Sequence, residues 1–388
     1  MTNDQAIALS SLRRRWLTAA GLGIAALTAG AALLLPAVDR AALARWLLVA
    51  AAVFAYQMAF VGRRLGLNRR EGEDRLLPGL GPGNALTLGR GVLLALLAGF
   101  LVVPWPHGTL TWAPAMLYMA ADVADYFDGY LARISHHATL LGQTVDMEFD
   151  ALGLLVGVGV AIHLGQLPMW FLPFGLARYA FVLGAWVLKR SGRTPRPLPE
   201  SVSRRPIAGL TMAFVSAALW PVVIPPAATL AGVLFAIPFA ASFGRDGLVV
   251  SGILDPDTDL YRVWRARLKR HVLHLLPPIL RAALAAALTL LTARMLQSPP
   301  VWAPAAQALL VGLQVLAGTC IAAGFAGRLA AVGLVIPLGL GAYVDGLSPL
   351  RGWTLGLAIA ILILGTGAAS IWKPEETRLR RRAGERDD

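Results

Sequence analysis

The chain has 388 residues, of which 57% are hydrophobic and 15% are charged. Soluble domains carry about 25% charged residues, and the apolar residues here form blocks long enough to cross a bilayer core of about 30 Å as helices. This composition excludes a soluble enzyme and a disordered protein, and the single cysteine excludes a disulfide scaffold. The net charge of +13 fits basic cytoplasmic loops and anionic headgroups better than a nucleic-acid partner.

Twelve apolar segments are predicted to form membrane-spanning helices, because lipid cannot satisfy exposed backbone groups. In chain order, they cover about residues 16–36, 44–61, 86–104, 109–129, 141–163, 168–188, 206–222, 226–243, 276–296, 303–322, 329–345 and 353–371. The predicted fold class is therefore an all-α, polytopic integral membrane protein with about 12 transmembrane helices.

Basic residues are distributed unevenly between the loops. They are concentrated before the first predicted helix, after the second, between the sixth and seventh, between the eighth and ninth, and after the last. The alternate loops carry few or none. Since loops rich in lysine and arginine stay in the cytoplasm, we expect a multi-pass protein of the cytoplasmic membrane with both termini on the cytoplasmic side.

The loops also divide the chain into four predicted parts. Residues 1–80 form a two-helix leader, and residues 81–252 form a six-helix core. A polar linker follows at 253–275, with room for an interfacial helix, and residues 276–388 form a four-helix end module with a basic tail. The ionisable side chains that most need an explanation lie in the core.

Four aspartates lie within core helices, where an ionisable side chain costs about 2.5–3.5 kcal/mol to insert. Asp125 and Asp128 share one face of a helix that runs toward the cytoplasm, and Asp146 and Asp150 share one face of the returning helix. These adjacent helices would bring four carboxylates together at the cytoplasmic side. Their mutual repulsion requires a cation, and an all-oxygen site favours Mg²⁺ or Mn²⁺ with substrate phosphates completing the shell.

Small and basic residues flank these aspartates. Gly129 and Gly142 would let a bulky phosphorylated ligand approach the helices closely. Arg133 lies one turn beyond Gly129, where its guanidinium could bind a phosphate. The residues alone therefore predict a metal–diphosphate site at the membrane surface.

The spacing of these residues resembles the signature of the CDP-alcohol phosphotransferase family. That signature is matched without a departure by Asp125-x2-Asp128-Gly129-x2-Ala132-Arg133-x8-Gly142-x3-Asp146-x3-Asp150. Upstream, a second segment resembles the start of the family's first core helix: Asn84-Ala85-Leu86-Thr87-Leu88-Gly89-Arg90. The resemblance covers about residues 81–252, the size of the family's membrane core.

This resemblance implies a metal-dependent transfer of a substituted phosphate, such as phosphatidyl, from a CDP-linked lipid such as CDP-diacylglycerol to an alcohol, with release of CMP. It implies that Asp125, Asp128 and Asp146 bind the metal, Mg²⁺ or Mn²⁺. Asp150 would be the general base and a further metal ligand. The implied partners are the lipid donor, the alcohol acceptor, membrane lipids and a second copy of the chain in a homodimer.

The resemblance also assigns residues to the two substrates. Gly129, Ala132 and Gly142 would line the CDP pocket, with Arg133 near its phosphates. Arg178, on the following helix, would contact the acceptor or form a structural pair between helices. Glycerol phosphate, inositol phosphate, serine and a second lipid are all acceptors that this signature allows.

Five nearby polar residues are harder to assign. Thr87 and Arg90 could reach the nucleotide, or they could cap a helix and anchor it among headgroups. Arg245 and Asp246 could contribute to the acceptor cavity or form a simple ion pair. Glu148 points away from the face that Asp146 and Asp150 share, so it is predicted to pair with a neighbouring helix.

The end module has a fainter resemblance, to the DoxX-like family of four-helix membrane proteins. It covers about residues 276–372 and rests on Gly324-Phe325-Ala326-Gly327-Arg328-Leu329-Ala330 and on Gly365-Thr366-Gly367. No catalytic set accompanies these motifs, so the predicted role of the module is to scaffold the enzyme or a dimer.

Two other functions fit parts of the pattern. An aspartate-rich membrane prenyltransferase would use Asp122, Asp125 and Asp128, but such enzymes place their second aspartate motif on a distant helix. A cation transporter would need polar residues through the full membrane depth, whereas residues 110–120 and 154–162 are mostly apolar. The sequence therefore favours the phosphotransferase.

Overall fold

The computed structural model describes residues 3–198, 204–297 and 303–373. Within these ranges the regular structure is helical, with two isolated β-bridges and no β-strand. The predicted all-α fold class is thus confirmed. The basic tail beyond residue 373 and part of the loop at 297–304 lie outside the described residues.

The helices follow one another as α1 (Asn3–Leu34), α2 (Arg40–Gly62), α3 (Gly81–Ala98), α4 (Ala113–Ile134), α5 (Leu140–His163), α6 (Leu172–Arg190), α7 (Arg204–Ala218), α8 (Pro225–Val250), α9 (Asp259–Lys269), α10 (Leu276–Gln297), α11 (Pro304–Ala323), α12 (Gly327–Asp345) and α13 (Pro349–Leu364).

Each of the predicted apolar segments overlaps one of these helices. In the described ranges, 8 helical stretches are long and apolar enough to cross a membrane, and α7 and α13 are apolar but shorter. Helices α4 and α5 are more polar than these, because each carries three acidic side chains. The chain is accordingly a multi-pass membrane protein.

The last apolar segment ends earlier than the sequence predicts. Helix α13 ends at Leu364 rather than near residue 371, because Gly365 and Gly367 adopt left-handed φ values of 84° and 70°. The turn that follows is held by the buried guanidinium of Arg281, which donates hydrogen bonds to backbone carbonyls of this turn. The two glycines therefore end the helix, and the turn that they form exposes backbone carbonyls that accept hydrogen bonds from Arg281.

Helix α3 approaches α4 and α5 closely enough to exclude a side chain at two of its glycines. A Cβ atom on Gly83 would lie 2.8 Å from both the Cβ of Ala132 and the backbone oxygen of Asp128 in α4. A Cβ atom on Gly91 would lie 2.5 Å from Cε2 of the buried Phe149 in α5. Because real Cβ atoms do not approach other atoms this closely, the two glycines fix how near α3 can come to the aspartate helices.

The chain forms two compact units. The first comprises Met1–Tyr179 with Val215–Pro221, and the second comprises Ala180–Phe214 with Val222–Asp388. Helices α1 to α5 belong to the first unit and α8 to α13 to the second, while α6 and α7 are divided between them. The four signature aspartates all lie in the first unit.

In the second unit, a buried arginine satisfies the carbonyl end of α12. Arg351 donates hydrogen bonds of 2.8 Å to the backbone oxygens of Gly341 and Gly346, and another of 2.8 Å to Oδ2 of Asp345. The last carbonyls of a helix have no partner within the helix, so this arginine supplies the donors that α12 lacks.

Helix α9 lies within the predicted polar linker and is exposed along its length. Leu260, Val263, Trp264 and Leu268 share one face by their i, i+3, i+4 and i+8 spacing, and they are 83%, 57%, 59% and 46% exposed. The other face carries mainly basic side chains. A π-helical segment, Arg270–Leu275, joins α9 to α10.

Candidate active site

A short turn between α4 and α5 sets the aspartate helices side by side. Helix α4 ends at Ile134, and Thr139 caps the start of α5, where its Oγ1 accepts a hydrogen bond of 3.1 Å from the amide of Gly142. The aspartates of α4 lie near its end and those of α5 near its beginning. The turn therefore places both pairs at the same end of the helix pair.

Three of the four signature aspartates converge on one point. Asp125, Asp128 and Asp146 each offer one carboxylate oxygen, and these oxygens all lie within 4.8 Å of one another. Asp128 is buried, and the other two are partly exposed. Asp150 is not part of this group of three, although it lies one turn beyond Asp146 on the same face of α5.

Arg90 of α3 connects the fourth aspartate to the other carboxylates. Its Nη1 forms ion pairs with Oδ1 of Asp125 and, at 3.1 Å, with Oδ1 of Asp150. Its Nη2 lies 3.0 Å from Oδ1 of Asp146 and 3.3 Å from the backbone oxygen of the same residue. Arg90 is only 2% exposed, so one buried guanidinium contacts three of the four signature carboxylates.

Thr87, one turn before Arg90 on α3, contacts the remaining carboxylate. Its hydroxyl donates a hydrogen bond of 2.7 Å to Oδ2 of Asp128, and it also lies 3.1 Å from the backbone oxygen of Gly83. The structure thus places Thr87 and Arg90 neither at a helix end among headgroups nor in an exposed nucleotide site. The signal in the sequence was their three-residue spacing, which puts both on one face of α3.

Gly129 and Arg133 leave a basic surface beside the acids. A Cβ atom on Gly129 would lie 3.3 Å from Nη1 of Arg133 and would meet no other atom within 4 Å. Arg133 is exposed, and its guanidinium makes no hydrogen bond or ion pair with the described residues. Ala132 lies on the other side of this turn of α4, against Gly83 of α3.

Gly142 makes room for a polar side chain from α3. A Cβ atom here would overlap Oδ1 of Asn84. Asn84 in turn donates from Nδ2 to Oδ1 of Asn68 at 3.3 Å and to Oγ1 of Thr139 at 3.2 Å. In this structure Gly142 and Ala132 are therefore packing positions between helices, whereas Gly129 borders open space.

Arg178 of α6 is exposed and lies near enough to Asp150 to interact with it electrostatically. The next residue, Tyr179, donates a hydrogen bond of 3.3 Å to Oε1 of Glu148, and Tyr56 of α2 donates one of 2.6 Å to the same oxygen. This confirms the prediction that Glu148 pairs with neighbouring helices. Helix α6 therefore contacts α5 close to the acidic cluster.

Comparison with known protein families identifies this part of the chain. Residues 82–242, which run from α3 into α8, match the family model described as CDP-alcohol phosphatidyltransferase. The chain contains a CDP-alcohol phosphatidyltransferase domain. No curated protein and no solved structure gave a match.

The family match confirms the resemblance seen in the sequence, as a CDP-alcohol phosphatidyltransferase domain at residues 82–242. Every residue of the family signature lies inside the matched range. The DoxX-like resemblance of the last four helices lies outside that range and stays a prediction.

The carboxylates of the phosphatidyltransferase domain fit a hard divalent ion. The three converging groups supply oxygen atoms only, and oxygen ligands are those that Mg²⁺ and Mn²⁺ prefer. The carboxylates are held beside one another by α3, which contacts an oxygen of each of the four. The donor set is thus suited to a cation that a nucleotide diphosphate would also contact.

Two further acidic residues, one inside the matched range and one just beyond it, have partners of their own. Asp122 hydrogen-bonds Ser216. Asp246 in the second unit is 5% exposed and accepts hydrogen bonds at 2.7 Å from Nε of Arg204 and at 2.6 Å from Nη2 of Arg245. These contacts agree with the ion-pair interpretation of Arg245 and Asp246.

Proposed function

We propose that this protein transfers a phosphatidyl group from a CDP-linked lipid, such as CDP-diacylglycerol, to an alcohol and releases CMP. The observation that carries the proposal is the convergence of Asp125, Asp128 and Asp146 to within 4.8 Å inside the matched domain. Arg90 also forms an ion pair with Asp150. The matched family is described by its CDP-alcohol substrates, and a cluster of carboxylates supports metal-dependent chemistry on a diphosphate.

Asp125, Asp128 and Asp146 would hold Mg²⁺ or Mn²⁺, with Asp150 as a further ligand. Such an ion, when bound, offsets the negative charge that develops on the diphosphate as its bridging bond breaks. The carboxylates contribute by their position, because they are attached to two helices that α3 holds together.

Asp150 would be the general base. It accepts the proton of the acceptor hydroxyl as the hydroxyl oxygen bonds to the phosphorus of the phosphatidyl group. The phosphoanhydride bond to the cytidine monophosphate breaks at the same phosphorus, and CMP leaves with the bridging oxygen. Asp150 is the signature carboxylate that does not belong to the converging group of three, which suits a proton acceptor beside the ion.

The substrates would be bound by the residues around the acids. Gly129 would border the CDP pocket, beside the positions where Ala132 and Gly142 pack against α3. Arg133 would bind the CDP phosphates with a guanidinium that has no protein partner among the described residues. Arg178, exposed and electrostatically coupled to Asp150, would bind the acceptor. A negatively charged acceptor would suit this arginine best.

The same proposal extends to the whole chain. Residues 1–80 would be a leader, 81–252 the catalytic core, 253–275 a linker with an interfacial helix, and 276–388 an end module that supports a homodimer. The distribution of basic loops supports placement in the cytoplasmic membrane, with the active site and both termini on the cytoplasmic side.

The proposal is tested by incubating the purified protein with CDP-diacylglycerol, Mn²⁺ or Mg²⁺ and a panel of alcohols. The panel contains glycerol phosphate, inositol phosphate, serine and a phospholipid, and mass spectrometry identifies the lipid products. We expect CMP and one new phosphatidyl lipid in equal amounts. Pyrophosphate release from a prenyl diphosphate, or ion flux in proteoliposomes without CMP formation, would instead support the prenyltransferase or the transporter.

A further inference from the structure

We infer that α3 positions the catalytic acids: Arg90 and Thr87 together contact all four signature carboxylates and set where these carboxylates lie for binding a metal ion. The inference rests on the proposed function, because it concerns the same acids. It assigns Arg90 and Thr87 as positioning residues, which act through the aspartates rather than on the substrate.

The first support is that α3 contacts every carboxylate of the signature. Arg90 forms ion pairs with Asp125, Asp146 and Asp150, and the hydroxyl of Thr87 donates a hydrogen bond to Oδ2 of Asp128. Two side chains on one face of α3 therefore reach all four acids.

The second support is the geometry of a guanidinium. Arginine presents a rigid planar guanidinium fork. Here Nη2 hydrogen-bonds Asp146 and Nη1 forms ion pairs with Asp125 and Asp150, so one rigid group restrains the distances between three carboxylates. The fork here extends from α3 to both aspartate helices, since Asp125 lies on α4 and Asp146 and Asp150 lie on α5. One side chain therefore sets the relative positions of ligands that belong to two helices.

The third support is the burial of both residues. Arg90 is 2% exposed and Thr87 is 3% exposed, so neither is available to bind a soluble substrate directly. A buried cation is tolerated where carboxylates compensate its charge. Groups that orient metal ligands in this way typically contribute 10- to 100-fold to metal affinity.

The experiment measures Mn²⁺ affinity by electron paramagnetic resonance, with Mn²⁺ alone as the probe, in full-length wild-type protein and in Arg90→Gln, Arg90→Lys and Thr87→Val. If Arg90 positions the acids, Arg90→Gln should weaken Mn²⁺ binding by about 10- to 100-fold. If it were only a competing charge, its removal would leave the acids more negative and make Mn²⁺ bind more tightly. The sign of the change therefore decides between the two roles.

The lysine variant separates charge from geometry. Arg90→Lys keeps the positive charge, but a single ammonium lacks the fork that reaches three carboxylates. We expect its Mn²⁺ affinity to lie between those of Arg90→Gln and wild type. Full recovery of wild-type affinity in Arg90→Lys would contradict positioning by the fork.

Thr87→Val keeps the inference testable if the arginine variants do not fold, because it is close to isosteric and changes no charge. Its matched control is Thr211→Val, since Thr211 is 1% exposed and its hydroxyl bonds only the backbone of its own helix, at 2.8 Å from the oxygen of Ile207. We expect Thr87→Val to bind Mn²⁺ more weakly than Thr211→Val. Equal affinities would contradict the role of Thr87.

The outcomes for the inference and for the proposed function are distinct. Wild-type protein that neither binds Mn²⁺ nor releases CMP would contradict the proposed function. Wild-type protein that does both, together with Arg90→Gln that binds Mn²⁺ as tightly or more tightly, would overturn the inference and leave the proposed function intact.

Discussion

At the scale of single residues, the chain uses buried arginines for two different purposes. Arg90 contacts carboxylates, and its charge is compensated by the aspartates of α4 and α5. Among the described residues, Arg281 hydrogen-bonds backbone carbonyls and no side chain, and these carbonyls include those of Ile321 at 2.9 Å and Ala322 at 2.5 Å. The first arrangement places carboxylates side by side, where they could also bind a metal ion. The second ties helix ends together, as expected of a structural group.

Replacement of single aspartates should separate metal binding from proton transfer. We expect Asp150→Asn to retain metal-dependent binding of the CDP-lipid and to lose transfer, because the amide cannot accept the hydroxyl proton. The loss of a general base corresponds to about a 10²- to 10⁴-fold drop in turnover. Asp125→Asn should weaken both binding and turnover. The measurements are equilibrium binding of radiolabelled CDP-diacylglycerol and the rate of CMP release, and substantial turnover in Asp150→Asn would remove it as the base.

The sequence identified the four aspartates as site residues, but it did not predict their contacts with Arg90 and Thr87. Their spacing within α4 and α5 matches the helical repeat, so periodicity alone predicts that each pair shares one face. The contacts of Arg90 depend on how closely α3 packs against both helices, which is a tertiary property set by side-chain volumes. The sequence alone therefore could not decide whether Thr87 and Arg90 contact the nucleotide or cap a helix and anchor it among headgroups.

At the scale of helices, the approach of α3 to α4 depends on Gly83. We expect Gly83→Ala to destabilise the protein by about 1–3 kcal/mol, as overpacking commonly does, because the added Cβ would meet backbone as well as side-chain atoms of α4. It should also weaken Mn²⁺ binding, since Thr87 and Arg90 would move with α3. Thermal unfolding and Mn²⁺ titration measure the two effects.

Gly89 provides the matched control on the same helix. A Cβ atom there would meet nothing within 4 Å, so Gly89→Ala should leave Mn²⁺ affinity unchanged and stabilise the helix by about 0.5–1 kcal/mol. Equal loss of Mn²⁺ affinity in both variants would show that the separation of α3 and α4 does not govern the site.

Helix α9 is expected to lie in the headgroup region, with its apolar face toward the acyl chains. Because Cys320 is the single cysteine, a Cys320→Ala background allows one fluorescent label to be placed at a time. In vesicles, a polarity-sensitive label in Trp264→Cys should emit at shorter wavelength than the same label in Arg262→Cys, which lies on the opposite face. Identical emission from the two sites would place α9 in water.

At the scale of the whole molecule, the apolar segments could be located from composition alone, because each must bury a helix's length of backbone in lipid. The ends of these segments were harder to predict from the sequence. The end of α13 at Leu364 depends on the φ values of Gly365 and Gly367 and on the carbonyls that Arg281 binds. Such contacts join positions far apart in the chain, so hydropathy does not reveal them.

The central claim is that clustered carboxylates and a divalent ion together release CMP from a CDP-linked lipid. The most direct test is the rate of CMP release by purified protein from CDP-diacylglycerol and a reactive alcohol, first in EDTA and then after Mn²⁺ is restored. We predict no release in EDTA, full recovery with Mn²⁺, and no recovery in Asp128→Asn. Equal CMP release with and without the divalent ion would contradict the claim.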